Sequence, residues 1–375
     1  MLSELPPYQY INTEAAWQAC VAVLRRAPRM ALDVESNSLY AYRETVCLIQ
    51  ISVADHDFII DPLAGFSIDA LGKLLAGPKT EKVLHASEYD LTLLKRQYGW
   101  EAANLFDTMW AARVLGYSNM GLAGFLREFY GVDQRKRFQK SDWRRRPLSD
   151  EQLVYAQTDT HYLLALRDDF EKALIEKGRI EEAREIFAAA AQVRGLDREF
   201  DPDGFWYLRG ARDLTPRRMA ILRELYLLCD AEARRRDVPA FKVLPNEALV
   251  RLAAVMPKTP EDLAATGCLS ARMLGYLGPK VLQAVQHGRK ASVPVPPDRP
   301  LPQPHGTVDR YEKIQQWRKH HARARGVESD VILTRDSMWA IALHNPRTIE
   351  ELADVAALGP RRLALYGEAI LAELA

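Results

Sequence analysis

The spacing of apolar and polar positions changes along the chain, and the changes divide it. Between Thr13 and Arg26, Trp17, Cys20, Val21 and Leu24 recur at helical spacing. Residues 30–36 (MALDVES) are an apolar run interrupted by acids. Residues 46–53 (VCLIQISV) and 57–61 (DFIID) are rich in β-branched side chains and read as two more strands around a short Ala-Asp-His turn. Three such strands in sequence predict an antiparallel meander. A helix at 68–76, a strand at 82–85, a helix at 87–98, a strand at 104–106 and a helix at 107–116 follow. Another helix is expected at 120–131. Ser149 and Gln152 form a capping-box pattern that opens a helix through Tyr155, Asp159 and Tyr162 to about Phe170. A last one covers 179–194. This order predicts an α/β domain, a mixed sheet covered by helices.

From about residue 209 the strand patterns stop and helical ones take over. Here the chain repeats itself. Leu244, Pro257, Thr259, Glu261, Leu263, Leu269, Arg272, Leu274, Gly278 and Leu282 recur 89 positions later as Leu333, Pro346, Thr348, Glu350, Leu352, Leu358, Arg361, Leu363, Gly367 and Leu371. One register holds throughout, without a gap. Six prolines between Arg289 and Gly306 separate the copies, as expected of an extended, stiff spacer. The expected segments are 1–208, 209–290, 291–305 and 306–375.

A net charge of +1 conceals an asymmetry. Residues 209–290 hold 15 Lys/Arg against 8 Asp/Glu, and residues 1–208 hold 25 against 31. An acidic front and a basic middle suit a protein that holds cations and grips a polyanion; a solvated helical surface explains the basic part equally well. The four cysteines are scattered, with no CxxC pair, so neither a zinc site nor a disulfide framework is expected. No secretion signal is read at the start and no apolar stretch is long enough to span a membrane, which makes the cytoplasm the expected location.

The chemistry begins at Asp33 and Glu35. Neighbours two apart on a strand point to one face. Two bare carboxylates about 4 Å apart repel by roughly 4 kcal/mol at an effective dielectric near 20, so something positive is needed there, or else the pair lies at a solvated edge. His85 to Asp90 is a His-x4-Asp pattern that places Asp90 in the first turn of a helix, where an acid is also an ordinary helix-start residue. Tyr155 and Asp159 share one face of a helix that otherwise reads as buried. A buried acid needs a partner, either a metal or an arginine of the basic stretch Arg135, Lys136, Arg137, Lys140, Arg144, Arg145, Arg146. Phe138 and Trp143, interleaved there, are base-stacking or core residues. His161 reads as a surface or supporting histidine.

Taken together, a strand DxE, His-x4-Asp and Tyr-x3-Asp resemble the three motifs of the 3′→5′ exonucleases with four acids and a tyrosine, the DEDDy group. The helical repeat resembles the HRDC domain, shared by RecQ-type helicases and ribonuclease D, and KRFQKSDWRRRPLSDEQLVYAQTD (136–159) resembles the matching region of bacterial ribonuclease D. That resemblance implies a ribonuclease H-like catalytic fold followed by two small all-α HRDC domains. It implies a metal-dependent exoribonuclease that releases 5′-mononucleotides from RNA 3′ ends, such as those of tRNA precursors. By it, Asp33, Glu35, Asp90 and Asp159 are metal ligands for two divalent ions, Mg²⁺ or Mn²⁺, and Tyr155 orients or helps deprotonate the attacking water. Asn37, His85, Lys140 and Arg144 are expected at the substrate. Position 154, where the histidine subgroup would carry its residue, is Val154, so the tyrosine assignment stands. RNA is the expected partner, with no obligate protein partner. A DNA exonuclease and a non-catalytic nucleic-acid adaptor are the competing readings.

Overall fold

The computed structural model describes residues 5–375 except 135, 196–198, 298–302 and 357, and the side chains of Lys136 and Ala356 are also left out. Two compact units emerge. One comprises residues 1–36, 46–196 and 301–375; the other comprises 37–45 and 197–300.

The first unit is built on a six-stranded sheet: β1 (Gln9–Ile11), β2 (Arg29–Ser36), β3 (Val46–Val53), β4 (His56–Ile60), β5 (Glu81–Leu84) and β6 (Leu105–Asp107). The order across it is β1-β4-β3-β2-β5-β6. The β2-β3-β4 meander is antiparallel, while β1, β5 and β6 join in parallel, so the sheet is mixed as expected. Every residue of β3 is buried, because helices cover both faces. β1 was not predicted: three residues carry too little alternation to register as a strand.

The helices around the sheet are α1 (Glu14–Leu24), α2 (Asp69–Ala76), α3 (Glu88–Tyr98), α4 (Thr108–Leu115), α5 (Leu122–Tyr130), α6 (Asp150–His161), α7 (Leu163–Glu176) and α8 (Ile180–Ala190). The capping box at α6 is complete: the Ser149 hydroxyl accepts from the Gln152 amide, and the Gln152 side chain accepts from the Ser149 amide. The helix predicted from here to Phe170 breaks at Tyr162, whose amide bonds back to the Thr160 carbonyl and starts a new axis for α7.

The first helical repeat follows in the second unit: α9 (Pro216–Arg236), α10 (Ala240–Val243), α11 (Asn246–Val255), α12 (Pro260–Ala265), α13 (Ala271–Tyr276) and α14 (Gly278–Lys290). Gly288 is needed where α14 crosses α9, since a Cβ there would stand 2.5 Å from the Ile221 Cα. The second repeat has α15 (Thr307–Arg325), α16 (Ser329–Ile332), α17 (Arg335–His344), α18 (Ile349–Ala356) and α19 (Pro360–Leu374). It belongs to the unit of the sheet and packs on α8. Buried Glu182 of α8 pairs with Arg325 at 2.6 Å and accepts from the Tyr366 hydroxyl, and Glu185 accepts from the backbone of Arg361 and Arg362. The centre of the proline-rich spacer lies outside the described residues.

Candidate active site and metal centre

β2 lies inside the sheet, and Asp33 and Glu35 point to one of its faces. Asp33 stands opposite Gln50 and Glu35 opposite Leu48; the register shifts directly after Glu35, which ends regular pairing there. α6 packs on this face and is fastened on both sides of Asp159. Thr160 meets the Ser52 hydroxyl at 2.8 Å. Asp57 of β4 accepts from Gln157 at 2.6 Å and from His161 Nδ1 at 2.8 Å. Burial alone would raise the Asp57 pKa, but those hydrogen bonds hold it below the usual carboxylate range. His161 is thus a support for the helix, as its plain reading had it.

Asp90 is delivered by the turn from β5 into α3. Asp107, at the end of β6, accepts from the backbone amides of Ala86, Ser87, Met109 and Trp110, at 2.8 to 3.2 Å. One carboxylate therefore caps α4 and fixes the turn in which Ala86 takes a φ of 61°. The His85 ring spans Thr108 Oγ1 and the Met120 carbonyl, each at 2.9 Å. A carbonyl only accepts, so Nε2 carries the proton, and burial keeps the ring's pKa low. Both nitrogens are hydrogen-bonded within the protein here, so His85 braces this turn.

Carboxylate oxygens of Asp33, Glu35 and Asp159 lie within 4.8 Å of one another. Asp90 is within hydrogen-bonding reach of Asp33. Among the described residues no lysine or arginine pairs with any of the four. Burial, and then mutual repulsion, pushes Glu35 and Asp90 well above the usual carboxylate range; burial with the Asp33 charge does the same to Asp159. Asp33 is pushed by burial to about 7. Gln134 donates to Asp159 Oδ1, and Tyr155 offers it a further hydrogen bond. The other oxygen, Oδ2, is buried without a partner, as is the whole Gln50 amide opposite Asp33. Orphaned buried groups and an all-oxygen, uncompensated donor set are what a hard divalent cation would satisfy. Sequence reasoning missed Gln50 and Gln134, because a lone glutamine carries no signal until its neighbours are known.

Tyr155 is buried, with its ring against Phe138 at 5.8 Å and Trp143 at 6.2 Å between centroids. Burial and the surrounding acids raise its pKa, so the phenol is held protonated. Trp143 is core, 1% exposed, and is not available to stack a base. Phe138 lines a cavity of about 610 Å³ beside Tyr155, together with Gln134, Thr158 and Tyr162.

The basic stretch is largely engaged within the fold. Arg146 makes a two-pronged pair with Asp61 and donates to the carbonyls of Cys47 and Trp143, locking Trp143 behind Tyr155. Arg144 pairs with Asp142, and Arg137 with Glu151. Lys140 is exposed. Asn37 is buried, and both ends of its amide are engaged with Thr45, so it staples a loop. Arg135 lies outside the described residues.

The 3′-5′ exonuclease family matches residues 8–175, and the HRDC domain matches 218–285 and 308–374. Ribonuclease D of Pseudomonas paraeruginosa is 28% identical over 347 residues, covering 91% of both chains. Exosome complex component 10 of Mus musculus is 32% identical over 243 residues, 63% of this chain and 27% of the relative. The chain spans between 27% and 49% of the length of the exosome relatives from mouse, nematode, rat and yeast. The crystal structure of Escherichia coli RNase D, described as an exoribonuclease involved in structured RNA processing, superposes with a TM-score of 0.68 at 25% identity, covering 98% of this chain and 99% of that one. The exonuclease family implies dependence on a divalent metal, and the acidic cluster offers the donors for it. The chain therefore carries a 3′-5′ exonuclease domain of mixed, helix-covered sheet followed by two HRDC domains, and is similar to ribonuclease D over almost its whole length.

Proposed function

We propose that this chain is a metal-dependent 3′→5′ exoribonuclease that trims RNA 3′ ends, those of tRNA precursors and other structured RNA among them, and releases 5′-mononucleotides. The observation that carries the proposal is the meeting of Asp33, Glu35, Asp90 and Asp159 from three separate stretches of chain, uncompensated, beside Tyr155. The ribonuclease D relatives support RNA as the substrate. The reading places the protein in the cytoplasm; no described helix is long and apolar enough to cross a membrane. It also keeps the division at 208, 290 and 305, with no obligate protein partner.

In this reading Asp33, Glu35 and Asp159 would hold one Mg²⁺ or Mn²⁺, and Asp33, with Asp90 through water, would hold a second. When bound, such a pair polarises the scissile phosphate and makes water nucleophilic at neutral pH. The remaining work is the protein's. Tyr155, protonated and wedged between Phe138 and Trp143, directs its hydroxyl into the cluster and orients the attacking water. α6, fastened through Asp57 and Ser52, keeps Tyr155 and Asp159 at fixed separation. Lys140 and Arg144 are the candidates for phosphate contacts.

Matched RNA and DNA oligonucleotides, digested side by side with Mg²⁺ or Mn²⁺ and with EDTA, test the proposal. Stepwise release of mononucleotides from RNA 3′ ends, abolished by EDTA, is expected. Preference for DNA would move the protein to DNA repair, and no release with either metal would leave a nucleic-acid adaptor.

A further inference from the structure

The chain leaves β2 two residues after Glu35 and returns to the sheet at Val46. The nine residues between, 37–45, belong to the compact unit of the first HRDC domain. The neck of this loop is stapled. Asn37 Nδ2 donates to Thr45 Oγ1 at 2.9 Å, the Thr45 amide donates to Asn37 Oδ1 at 2.7 Å, and the Asn37 amide donates to the Thr45 carbonyl at 3.3 Å. The amides of Tyr40 and Ala41 close a turn on the Asn37 carbonyl. These bonds close the neck of the loop.

Its tip is gripped by the HRDC domain. The Tyr42 ring packs against that domain's apolar core. Its hydroxyl donates to Asp230 Oδ1 at 2.6 Å, its amide donates to Asp237 Oδ1 at 3.1 Å, and the Arg234 guanidinium lies 5.5 Å from the ring centroid. The Lys242 ammonium sits 4.1 Å from the centroid of the Tyr40 ring. Asp230 is 8% exposed, a buried carboxylate whose partners are this tyrosine and Arg234. Charge-assisted hydrogen bonds and cations over aromatic faces are strong contacts for so short a loop. The second HRDC copy has Lys319 where the first has Asp230, so the grip is not a general feature of the repeat.

We propose that Tyr42 and Asp230 are positioning residues for the acidic site: through the stapled loop, the first HRDC domain sets the end of β2 and with it the Glu35 carboxylate. This rests on the metal-dependent reading above. Metal ligands tolerate little displacement, and loss of an orienting partner outside the ligand set costs about tenfold or more in metal affinity.

The test uses the full chain with Tyr42→Phe, Asp230→Asn and the double variant, and with exposed Glu261→Gln as control. Mn²⁺ binding is measured by calorimetry without RNA, and kcat and KM are measured on a single-stranded trinucleotide. Either single variant should weaken Mn²⁺ binding about tenfold and lower kcat at limiting Mn²⁺ with KM unchanged. Excess Mn²⁺ should restore kcat. The double variant should match the singles, because the same charge-assisted contact is disrupted in each, by loss of the donor in Tyr42→Phe and of the charge in Asp230→Asn. Wild-type Mn²⁺ affinity in both singles would overturn the proposal, even if KM for the trinucleotide rises. If the wild type binds Mn²⁺ but cleaves no RNA, the exoribonuclease reading fails while the calorimetric arm still decides this one. No Mn²⁺ binding by the wild type would overturn both.

Discussion

The same sheet carries two kinds of buried carboxylate. Asp61, just past β4, is matched on every side: Arg146 meets both its oxygens, the Tyr10 hydroxyl donates to it at 2.6 Å and the Leu63 amide at 3.0 Å. Burial alone would raise its pKa, yet these partners keep it below the usual range. Asp159, on α6, has a glutamine amide, a phenol and one empty oxygen, and three other acids are close by. Folding tolerates the first because its charge is answered within the chain. It tolerates the second only by leaving the site under electrostatic strain that a bound cation would relieve. Matched acids hold the scaffold, and unmatched acids mark where something from outside belongs.

The contrast breaks most sharply at Asp159. Asp159→Asn should lower turnover by on the order of a thousandfold, since the donor is lost where the reaction is run. It should leave the fold intact or firmer, because it removes one repelling charge. Activity near that of wild type would remove Asp159 from the metal set. On the matched side, Arg146→Met should cost about 3 kcal/mol of stability, because Asp61 is left buried and unpaired. Chemical denaturation measures it. A loss of activity without loss of stability would instead give Arg146 a role at the substrate. Tyr155→Phe removes only the hydroxyl and keeps the ring between Phe138 and Trp143. Turnover should fall about thirtyfold, at the low end for a positioned proton-bearing group, with RNA affinity unchanged. An unaltered kcat would mean that water is oriented by another group.

How much of this was legible beforehand follows the same division. The meander, the helices after it and the 89-residue repeat could be read because each rests on local spacing; Asp33, Glu35, Asp90, Tyr155 and Asp159 were singled out by the resemblance of their combined pattern, and the fold brings them together. What surrounds them could not be read. Asn37 and His85 stand beside the motifs and were expected at the substrate; that their polar atoms engage Thr45, Thr108 and the Met120 carbonyl, partners 8 to 35 positions away, carried no local signal. The acids that Arg137, Arg144 and Arg146 of the basic stretch meet in the fold could not be read from its composition. Gln50 was one more residue in an apolar strand until its pairing with Asp33 was known. The two HRDC copies are nearly equivalent in spacing, yet Arg325 of the second meets Glu182 of α8, while Asp230 of the first holds Tyr42. Spacing reports what a segment becomes; partners distant in sequence decide what it does.

The smallest expected effect is also the one that separates the two kinds of acid by sign. Asp61 and Asp57 have pKa values lowered in the fold, so they add stability above about pH 4 that is lost as pH falls through their folded values. Asp33, Glu35, Asp90 and Asp159 have values raised in the fold, Asp33 to about 7. Between about pH 4 and 7 the metal-free folded chain therefore binds more protons than the unfolded chain, and its stability must fall as pH rises. With EDTA present, denaturation midpoints should climb from pH 8 to about 5 and then drop at lower pH. Asp159→Asn should flatten the upper limb and leave the acid limb alone, and Arg146→Met should flatten the acid limb and leave the upper one. Mn²⁺ should cancel the upper limb, because a cation binds the deprotonated carboxylates of the folded chain. An upper limb unchanged by both Asp159→Asn and Mn²⁺ would show that the unmatched acids are not the source of the slope, and the distinction between the two sets would lose its physical basis.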